Sequence, residues 1–150
     1  MTHAPGFVAR DAHDQLLVSR VHPPDWKNPE PAGRYNLVVL GAGTAGLISA
    51  AVAGGLGARV ALIERDRMGG DCLNTGCVPS KSLIRTARRV EEARLAHALG
   101  VPAFAREAID FGAAMERMRE IRARISVDDS ALRFRDELGV QVFFGDARFV

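Results

Sequence analysis

The sequence predicts an α/β fold in which helices flank a parallel β-sheet. A short apolar run is followed at once by GAGTAG and a helical stretch, and a second apolar run ends at Glu64. Two amphipathic helical patterns and a third β-rich run, Val140–Phe144, follow. Short β-rich runs that alternate with helical segments favour a parallel sheet, because parallel strands need long crossover connections.

The composition indicates one ordinary soluble domain. The chain has 150 residues, of which 47% are hydrophobic and 25% charged, so it can bury a core of its own. A net charge of +2 gives no electrostatic case for a nucleic-acid partner. No apolar run is long enough to cross a bilayer, and no signal peptide is recognisable. We therefore expect a cytoplasmic protein.

Residues 1–34 show no helical or strand period. Their second half, VHPPDWKNPEPAGR, is rich in proline and predicts an extended arm or linker ahead of a domain at 35–150. At most one short element is expected, within Phe7–Val21. The arm is either a docking segment anchored by Trp26 or a partly ordered tail.

The next stretch has the pattern of a βαβ unit. We predict a strand at Tyr35–Leu40, a helix at Leu47–Leu56 and a second strand at Arg59–Ile63, which runs into Glu64. With GAGTAG between the first strand and the helix, this order is the fingerprint of a dinucleotide site. A glycine-rich helix packed on a sheet without a ligand is the alternative.

Each glycine of GAGTAG has a separate expected task. Gly41 allows a tight turn, Gly43 lets the backbone approach a pyrophosphate, and Gly46 permits close packing of the helix on the strand. Glu64 would accept hydrogen bonds from ribose hydroxyls. The fingerprint alone does not distinguish FAD from NAD.

Both cysteines of the chain lie in GGDCLNTGCVPSK, at Gly69–Lys81. Cys72 and Cys77 are separated by four residues and could close a small ring. Pro79 suits the first turn of a helix, so we expect Cys77 at a helix N-terminus, where partial positive charge favours the thiolate. This makes a redox pair plausible.

Other interpretations of the two cysteines remain open on spacing alone. They could be small buried apolar residues, a structural staple or half of a zinc site. Zinc is disfavoured because no second cysteine pair is present and no histidine has matching spacing; the histidines are His3, His13, His22 and His97. A structural disulfide is disfavoured because no signal peptide is recognisable.

Three further elements are predicted after the cysteines. A helix is expected at Ser80–His97, a second at Phe111–Ile125 and a short third at Asp129–Leu138. The predicted apolar stripes are Leu83, Ala87, Val90 and Ala93 on the first helix and Phe111, Met115, Met118, Ile121 and Ile125 on the second. We interpret Arg117, Arg119, Arg122 and Arg124 of the second helix as a solvated face.

GGDCLNTGCVPSK resembles the redox-active disulfide motif of the class I pyridine nucleotide-disulfide oxidoreductases, which include dihydrolipoamide dehydrogenase, glutathione reductase and mercuric reductase. The family pattern is GG-T-C-x-N-x-G-C-x-P-x-K. This chain has Asp71 in place of the usual Thr and Thr75 in place of the usual Val, and the other fixed positions match.

The resemblance implies a Rossmann-like FAD-binding domain of three layers, incomplete in this chain, with FAD bound and NAD(P)H as co-substrate. Gly69 follows Glu64 by five residues, as in that family. The Asp71 carboxylate would be repelled by phosphate, so its backbone N–H would make the contact. The implied cofactor-binding residues are Gly41, Gly43, Thr44, Ala45, Gly46, Glu64, Arg65, Gly70, Asp71, Lys81 and Ala147.

The resemblance also implies the catalytic residues, which are Cys72, Cys77 and Lys81, and no metal ligands. Cys77 would lie nearest the flavin, and Cys72 would attack the substrate. The acceptor would be a small-molecule disulfide, a lipoyl group or mercuric ion. Two rival classes remain: a nucleotide-binding module without redox chemistry, and an FAD- or NAD-dependent oxidoreductase without a disulfide.

The resemblance matches only the first part of a family member, so we expect a fragment of a homodimeric enzyme. Its NAD(P)H domain and its interface domain, with an acid–base His–Glu pair, would lie outside this chain. In such a fragment the last strand should have unpaired edge groups, and Val142, Phe143 and Phe149 should lose part of their cover.

Overall fold

The computed structural model describes residue 9, residues 11–102 and residues 109–149. Helices and strands follow one another in an order that alternates the two types in the first half of the chain. The elements are α1 (Ala12–Val21), β1 (Leu37–Leu40), α2 (Thr44–Gly55), β2 (Val60–Glu64), α3 (Gly70–Asn74), α4 (Cys77–Leu95), α5 (Phe111–Ile125), α6 (Ala131–Asp136) and β3 (Gln141–Phe144), with a 3-10 turn at Ala96–Leu99.

The three strands form one parallel sheet in the order β1-β2-β3. Leu37 of β1 pairs with Val60, and Glu64 at the end of β2 pairs with Phe144 of β3. The central strand is the most buried, and Val60 and Leu62 are fully buried. The predicted α/β class with a parallel sheet is confirmed.

Two glycines of α2 let this helix lie close to the sheet. A Cβ added at Gly46 would lie 1.9 Å from the carbonyl oxygen of Gly41, and one added at Gly54 would lie 2.6 Å from that of Leu138. Any side chain at either position would push the helix away from the backbone beneath it. The packing task predicted for Gly46 is confirmed, whereas Gly54 was not foreseen.

The other face of β1 is open in the described residues. Val38 and Leu40 are both about half exposed, at 53% and 51%. Together with Ile63, Ala147, Arg148 and Phe149 they line a groove of about 350 Å³. The side of the sheet opposite α2 is therefore apolar and solvent-facing.

The long helices pack as a layer of their own, with α4 against α5 and α1 against both α5 and α6. The predicted stripes are wrong in part. Phe111 is 67% exposed, while the buried side of α5 carries Ala114, Met118 and Arg122. On α4, Pro79 and Ser82 are buried. The reason is that α5 contacts α1, α3 and α4, so its buried side is broader than one stripe and includes a cation.

Part of the first 34 residues belongs to the folded unit. Asp11 caps α1 by accepting a hydrogen bond from the N–H of Asp14 at 2.9 Å, and Leu17 and Val21 are fully buried in the core. α1 is the one short element expected within Phe7–Val21, and its buried Asp14 weakens the apolar period by which its bounds could have been predicted. The division of the chain at residue 34 stays a proposal.

The arm also covers the free edge of β3. The side chain of Asn28 pairs with Phe144 like a neighbouring strand, accepting from its N–H at 2.8 Å and donating to its carbonyl at 2.9 Å. Trp26 Nε1 donates to the carbonyl of Val142 at 3.3 Å. The predicted unpaired edge at these groups is therefore wrong, and Val142 is fully buried, although Phe149 is exposed as expected.

Candidate active site

The GAGTAG segment at residues 41–46, called the glycine loop below, joins β1 to α2 and leaves unfilled space beside two of its glycines. Gly41 has φ of +94°, and its N–H donates to the carbonyl of Ile63 at 2.8 Å. A Cβ added at Gly41 would meet no described atom within 4 Å, and one added at Gly43 would meet only Gly70 Cα at 4.0 Å. The glycines here leave space that the described residues do not fill.

The space lies at the N-terminus of α2, a helix of 12 residues that begins after Gly43 and has no side-chain cap among the described residues. The first N–H groups of a helix have no partner within it, and the helix dipole adds partial positive charge there. A loop with this geometry can accept a phosphate group.

Glu64 holds the glycine loop in place. Its carboxylate is buried, and Oε2 accepts from the N–H of Ala42 at 2.7 Å while Oε1 accepts from the N–H of Asp66 at 2.8 Å. This structural task was not foreseen. Each carboxylate oxygen can accept a further hydrogen bond, so the carboxylate also remains able to bind a hydroxyl group. Its contact with a ribose stays a prediction.

The loop after β2 packs directly on the glycine loop. The N–H of Gly69 donates to the carbonyl of Ala42 at 2.8 Å. A Cβ added at Gly70 would lie 2.6 Å from Gly43 Cα, and both Gly69 and Gly70 have positive φ, at +88° and +53°. Because no side chain fits between these backbones, the two motifs are parts of one site.

The two cysteines lie on consecutive helices. Cys72 is in α3 and partly buried; Cys77 is the first residue of α4 and exposed, and both are free thiols. The predicted helix start at Cys77 is confirmed, as is Pro79 in the first turn.

The expectation that Cys77 ionises easily is wrong for this reduced pair. The pKa of the Cys77 thiol is raised from its ordinary value, first because it donates a hydrogen bond to Cys72 and second because a charge on Cys72 opposes its ionisation. Lys81, one turn further along α4, acts in the opposite direction through its positive charge.

The two positions that depart from the family pattern contact each other. Thr75 Oγ1 donates to Asp71 Oδ1. The backbone carbonyl of Asp71 also accepts from the N–H groups of Thr75 at 2.9 Å and Gly76 at 2.6 Å. A Cβ added at Gly76 would lie 2.7 Å from Asp71 Oδ2, so the Asp71 side chain lies across the segment between the cysteines. A Val at position 75 would offer no donor to this carboxylate.

A buried polar network that the sequence did not reveal supports this segment. Asn74, inside the motif, donates through Nδ2 to the carbonyls of Met68 at 3.1 Å and Gly70 at 2.8 Å. The backbone carbonyl of Asn74 accepts a hydrogen bond from Arg122 Nη1 at 2.8 Å. Asn74 is fixed in the family pattern, which could have marked it, but nothing in the local pattern of α5 distinguishes Arg122 from its solvated neighbours.

The remaining predicted residues lie around these loops. Thr44, Ala45 and Arg65 are exposed close to the glycine loop and Glu64. Ala147 lies in the groove beside Leu40 and Ile63, which directly precede Gly41 and Glu64. Within the described parts of the chain, no cluster of three or more metal-ligating side chains is found. No helix there is both long and apolar enough to cross a membrane.

Residues 35–148 match the family model of the pyridine nucleotide-disulphide oxidoreductases. Dihydrolipoyl dehydrogenase of Zymomonas mobilis is 40% identical over 95 residues, which cover 63% of this chain and 20% of that protein. Dihydrolipoyl dehydrogenase 2 of Haloarcula marismortui is 37% identical over 114 residues, covering 76% of this chain and 23% of that protein.

Among solved structures, the Cu(II) complex of the HOCl-induced flavoprotein disulfide reductase RclA from Escherichia coli superimposes with a TM-score of 0.60 at 27% identity, covering 79% of this chain and 23% of that one. LpdA from Mycobacterium tuberculosis also gives a TM-score of 0.60, at 31% identity.

The fold, the two packed loops and these matches define the class: the chain belongs to the pyridine nucleotide-disulphide oxidoreductase family. Its similarity is to the dihydrolipoyl dehydrogenases and flavoprotein disulfide reductases named above. It spans between a fifth and a quarter of the length of these relatives, at 20% and 23% for the two dehydrogenases.

Proposed function

We propose that the chain is the FAD-binding part of an NAD(P)H-dependent flavoenzyme that exchanges electrons with a substrate through Cys72 and Cys77. The observation that carries this proposal is that the loop leading into Cys72 packs on the glycine loop, with Gly70 against Gly43. It brings a thiol pair next to a loop suited to a dinucleotide.

The residues present fit FAD. The α2 N-terminus and the open space at Gly41 and Gly43 suit a pyrophosphate, and Glu64 beside them suits a ribose. When bound, FAD would carry two electrons between NAD(P)H and the thiol pair. We infer cofactor contacts from the predicted set, which is Gly41, Gly43, Thr44, Ala45, Gly46, Glu64, Arg65, Gly70, Asp71, Lys81 and Ala147.

The thiol pair itself can complete an exchange reaction. The Cys72 thiolate attacks one sulfur of a substrate disulfide, and the other sulfur leaves as a thiolate that takes up a proton. Cys77 loses its proton and attacks Cys72 Sγ, which releases the second substrate thiol and closes the Cys72–Cys77 disulfide. Two electrons pass to the substrate.

We infer that two further features would serve this chemistry, the charge of Lys81 and the contact between Asp71 and Thr75. Lys81 lies on the same face of α4 as Cys77, and both are exposed. Its charge favours ionisation of Cys77 when that thiol must attack. The Asp71–Thr75 contact holds the connecting segment across the pair.

We propose a lipoyl group or another small-molecule disulfide as the substrate, with mercuric ion as a second candidate that the same thiols could bind. The names of the dehydrogenases favour the lipoyl group. We further infer a cytoplasmic homodimer. The comparison of a lipoamide substrate with mercuric ion in one assay would decide between the acceptors.

The test is a Cys72→Ser, Cys77→Ser double variant of the full-length flavoenzyme. It should retain FAD and lose disulfide or metal-ion reduction, while thiol counting on the parent protein should find about two additional thiols after NAD(P)H reduction. Thr86→Ala, further along α4, serves as the control and should keep full activity. Turnover by the double variant would overturn the proposal.

A further inference from the structure

We propose that the N-terminal segment, defined as residues 11–28, positions the redox loop, defined as residues 66–77, for thiol–disulfide exchange. The inference rests on the proposed function of Cys72 and Cys77. The segment precedes the range matched by the family, which begins at residue 35. It therefore adds support from outside the part of the fold that the family model describes.

The segment contacts the beginning of the redox loop through the backbone. The carbonyl of Val21 accepts from the N–H of Met68 at 3.0 Å, and His22 Nδ1 donates to the carbonyl of Asp66. Val21 and Met68 are both fully buried. These contacts fix the chain directly before Gly69, where it turns toward the glycine loop.

A second connection runs through a buried ion pair. Arg122 Nη2 of α5 donates to Asp14 Oδ1 of α1 at 2.5 Å, and the two residues are only 7% and 2% exposed. Arg122 Nη1 then donates to the carbonyl of Asn74 at 2.8 Å. The Asp14 carboxylate therefore orients a guanidinium group whose other terminal nitrogen binds the backbone carbonyl of Asn74, the last residue of α3.

The network ends on both sides of Cys72. Asn74 Nδ2 donates to the carbonyls of Met68 and Gly70, so the segment from Met68 to Asn74 is held from within as well as by Arg122. Cys72 lies within this stretch, between Gly70 and Asn74. Its position relative to Cys77 is therefore fixed by α1 and α5 in addition to its own loop.

The α1 helix is firmly attached to α5, so it can transmit this support. Arg20 Nη1 donates to the carbonyl of Ala123 at 2.7 Å, and Arg119 pairs with Asp11 at the other end of α1. With both ends held, the Asp14 carboxylate has one position relative to Arg122. A thiol pair held in one geometry closes its ring with a smaller loss of entropy than a mobile pair.

The network therefore predicts an effect on ring closure that is separable from stability. Replacing Asp14 by Asn keeps the shape but removes the charge that orients Arg122. The loop should then sample more positions, and the effective concentration of one thiol toward the other should fall about 5-fold to 50-fold. Arg122→Lys, which keeps the charge but cannot donate as a fork to both partners, should give a smaller decrease.

The experiment equilibrates the protein in dithiothreitol buffers of graded oxidation, traps thiols by alkylation, and measures the Cys72–Cys77 disulfide fraction by mass. Ser130→Ala is the matched control. Ser130 is also buried and caps α6, accepting from the N–H of Arg133 at 3.1 Å, and its described hydrogen bonds are to Val127, Arg133 and Phe134. It should lower the melting temperature and leave the disulfide equilibrium within about 2-fold.

An equilibrium unchanged in a folded Asp14→Asn variant would overturn the proposal. If that variant does not fold, Arg122→Lys decides in the same way. The assay uses no FAD, NAD(P)H or substrate, so its outcomes are distinct. Failure of the parent protein to form the disulfide reversibly would count against the proposed function, whereas an intact parent with unaffected variants would count against the positioning alone.

Discussion

The glycine loop and the redox loop meet in one site, yet they are held in different ways. The glycine loop is held within its own βαβ unit: Gly46 lies against Gly41, and Glu64, at the end of β2, binds the N–H of Ala42. The redox loop depends on residues far away in sequence, since Asn74 is bound by Arg122, 48 positions later. Both loops can be recognised from short motifs, but only the support that comes from backbone sterics can be read from the motif, whereas the support from distant side chains cannot.

The largest expected effect is at Gly46, where the locally determined loop can be broken by one methyl group. Gly46→Ala should destabilise the protein by about 3 kcal/mol, because the new Cβ would overlap a backbone carbonyl that cannot move aside. Gly55→Ala is the control on the same helix, since a Cβ there meets no described atom within 4 Å. It should be neutral or slightly stabilising.

Urea unfolding followed by circular dichroism compares the two variants. A Gly46→Ala protein as stable as the Gly55→Ala protein would mean that α2 does not lie as close to β1 as described here.

A smaller effect is expected at Glu64, which connects the two loops through the N–H groups of Ala42 and Asp66. Glu64→Ala should weaken FAD retention by about 1.5–3 kcal/mol, the usual range for a hydrogen bond to a charged group. Glu64→Gln keeps one acceptor oxygen and should lose less.

Flavin release during dilution and dialysis of the full-length enzyme measures this loss of affinity. The Glu64 carboxylate also has a structural task, so the melting temperature of the apoprotein should fall in the same order, with Ala below Gln. Unchanged FAD retention in Glu64→Ala would show that the carboxylate serves the fold alone.

The same difference explains which features the sequence could predict. The bounds of α5, Phe111–Ile125, follow from its own apolar period, and the start of α4 at Cys77 follows from the Gly–Cys–x–Pro pattern. Arg122 was placed on a solvated face because a buried arginine and an exposed one have the same local pattern. Its burial depends on Asp14, and nothing in the sequence connects the two.

The sequence did not predict that the pKa of Cys77 is shifted upward, for a related reason. A helix N-terminus favours the thiolate, but the neighbouring Cys72 accepts the Cys77 proton in a hydrogen bond and favours the thiol. The first effect can be recognised from the position of Cys77 in the motif. The second requires the distance between two side chains on different helices.

The central proposal is that Cys72 and Cys77 form a reversible redox pair that exchanges two electrons with FAD. The most direct test is an anaerobic dithionite titration of the full-length flavoenzyme, followed by flavin absorbance. The account predicts an uptake of about four electrons per flavin, two of which reduce the disulfide, and about two in the Cys72→Ser, Cys77→Ser variant. An uptake of two electrons by the parent protein would contradict it.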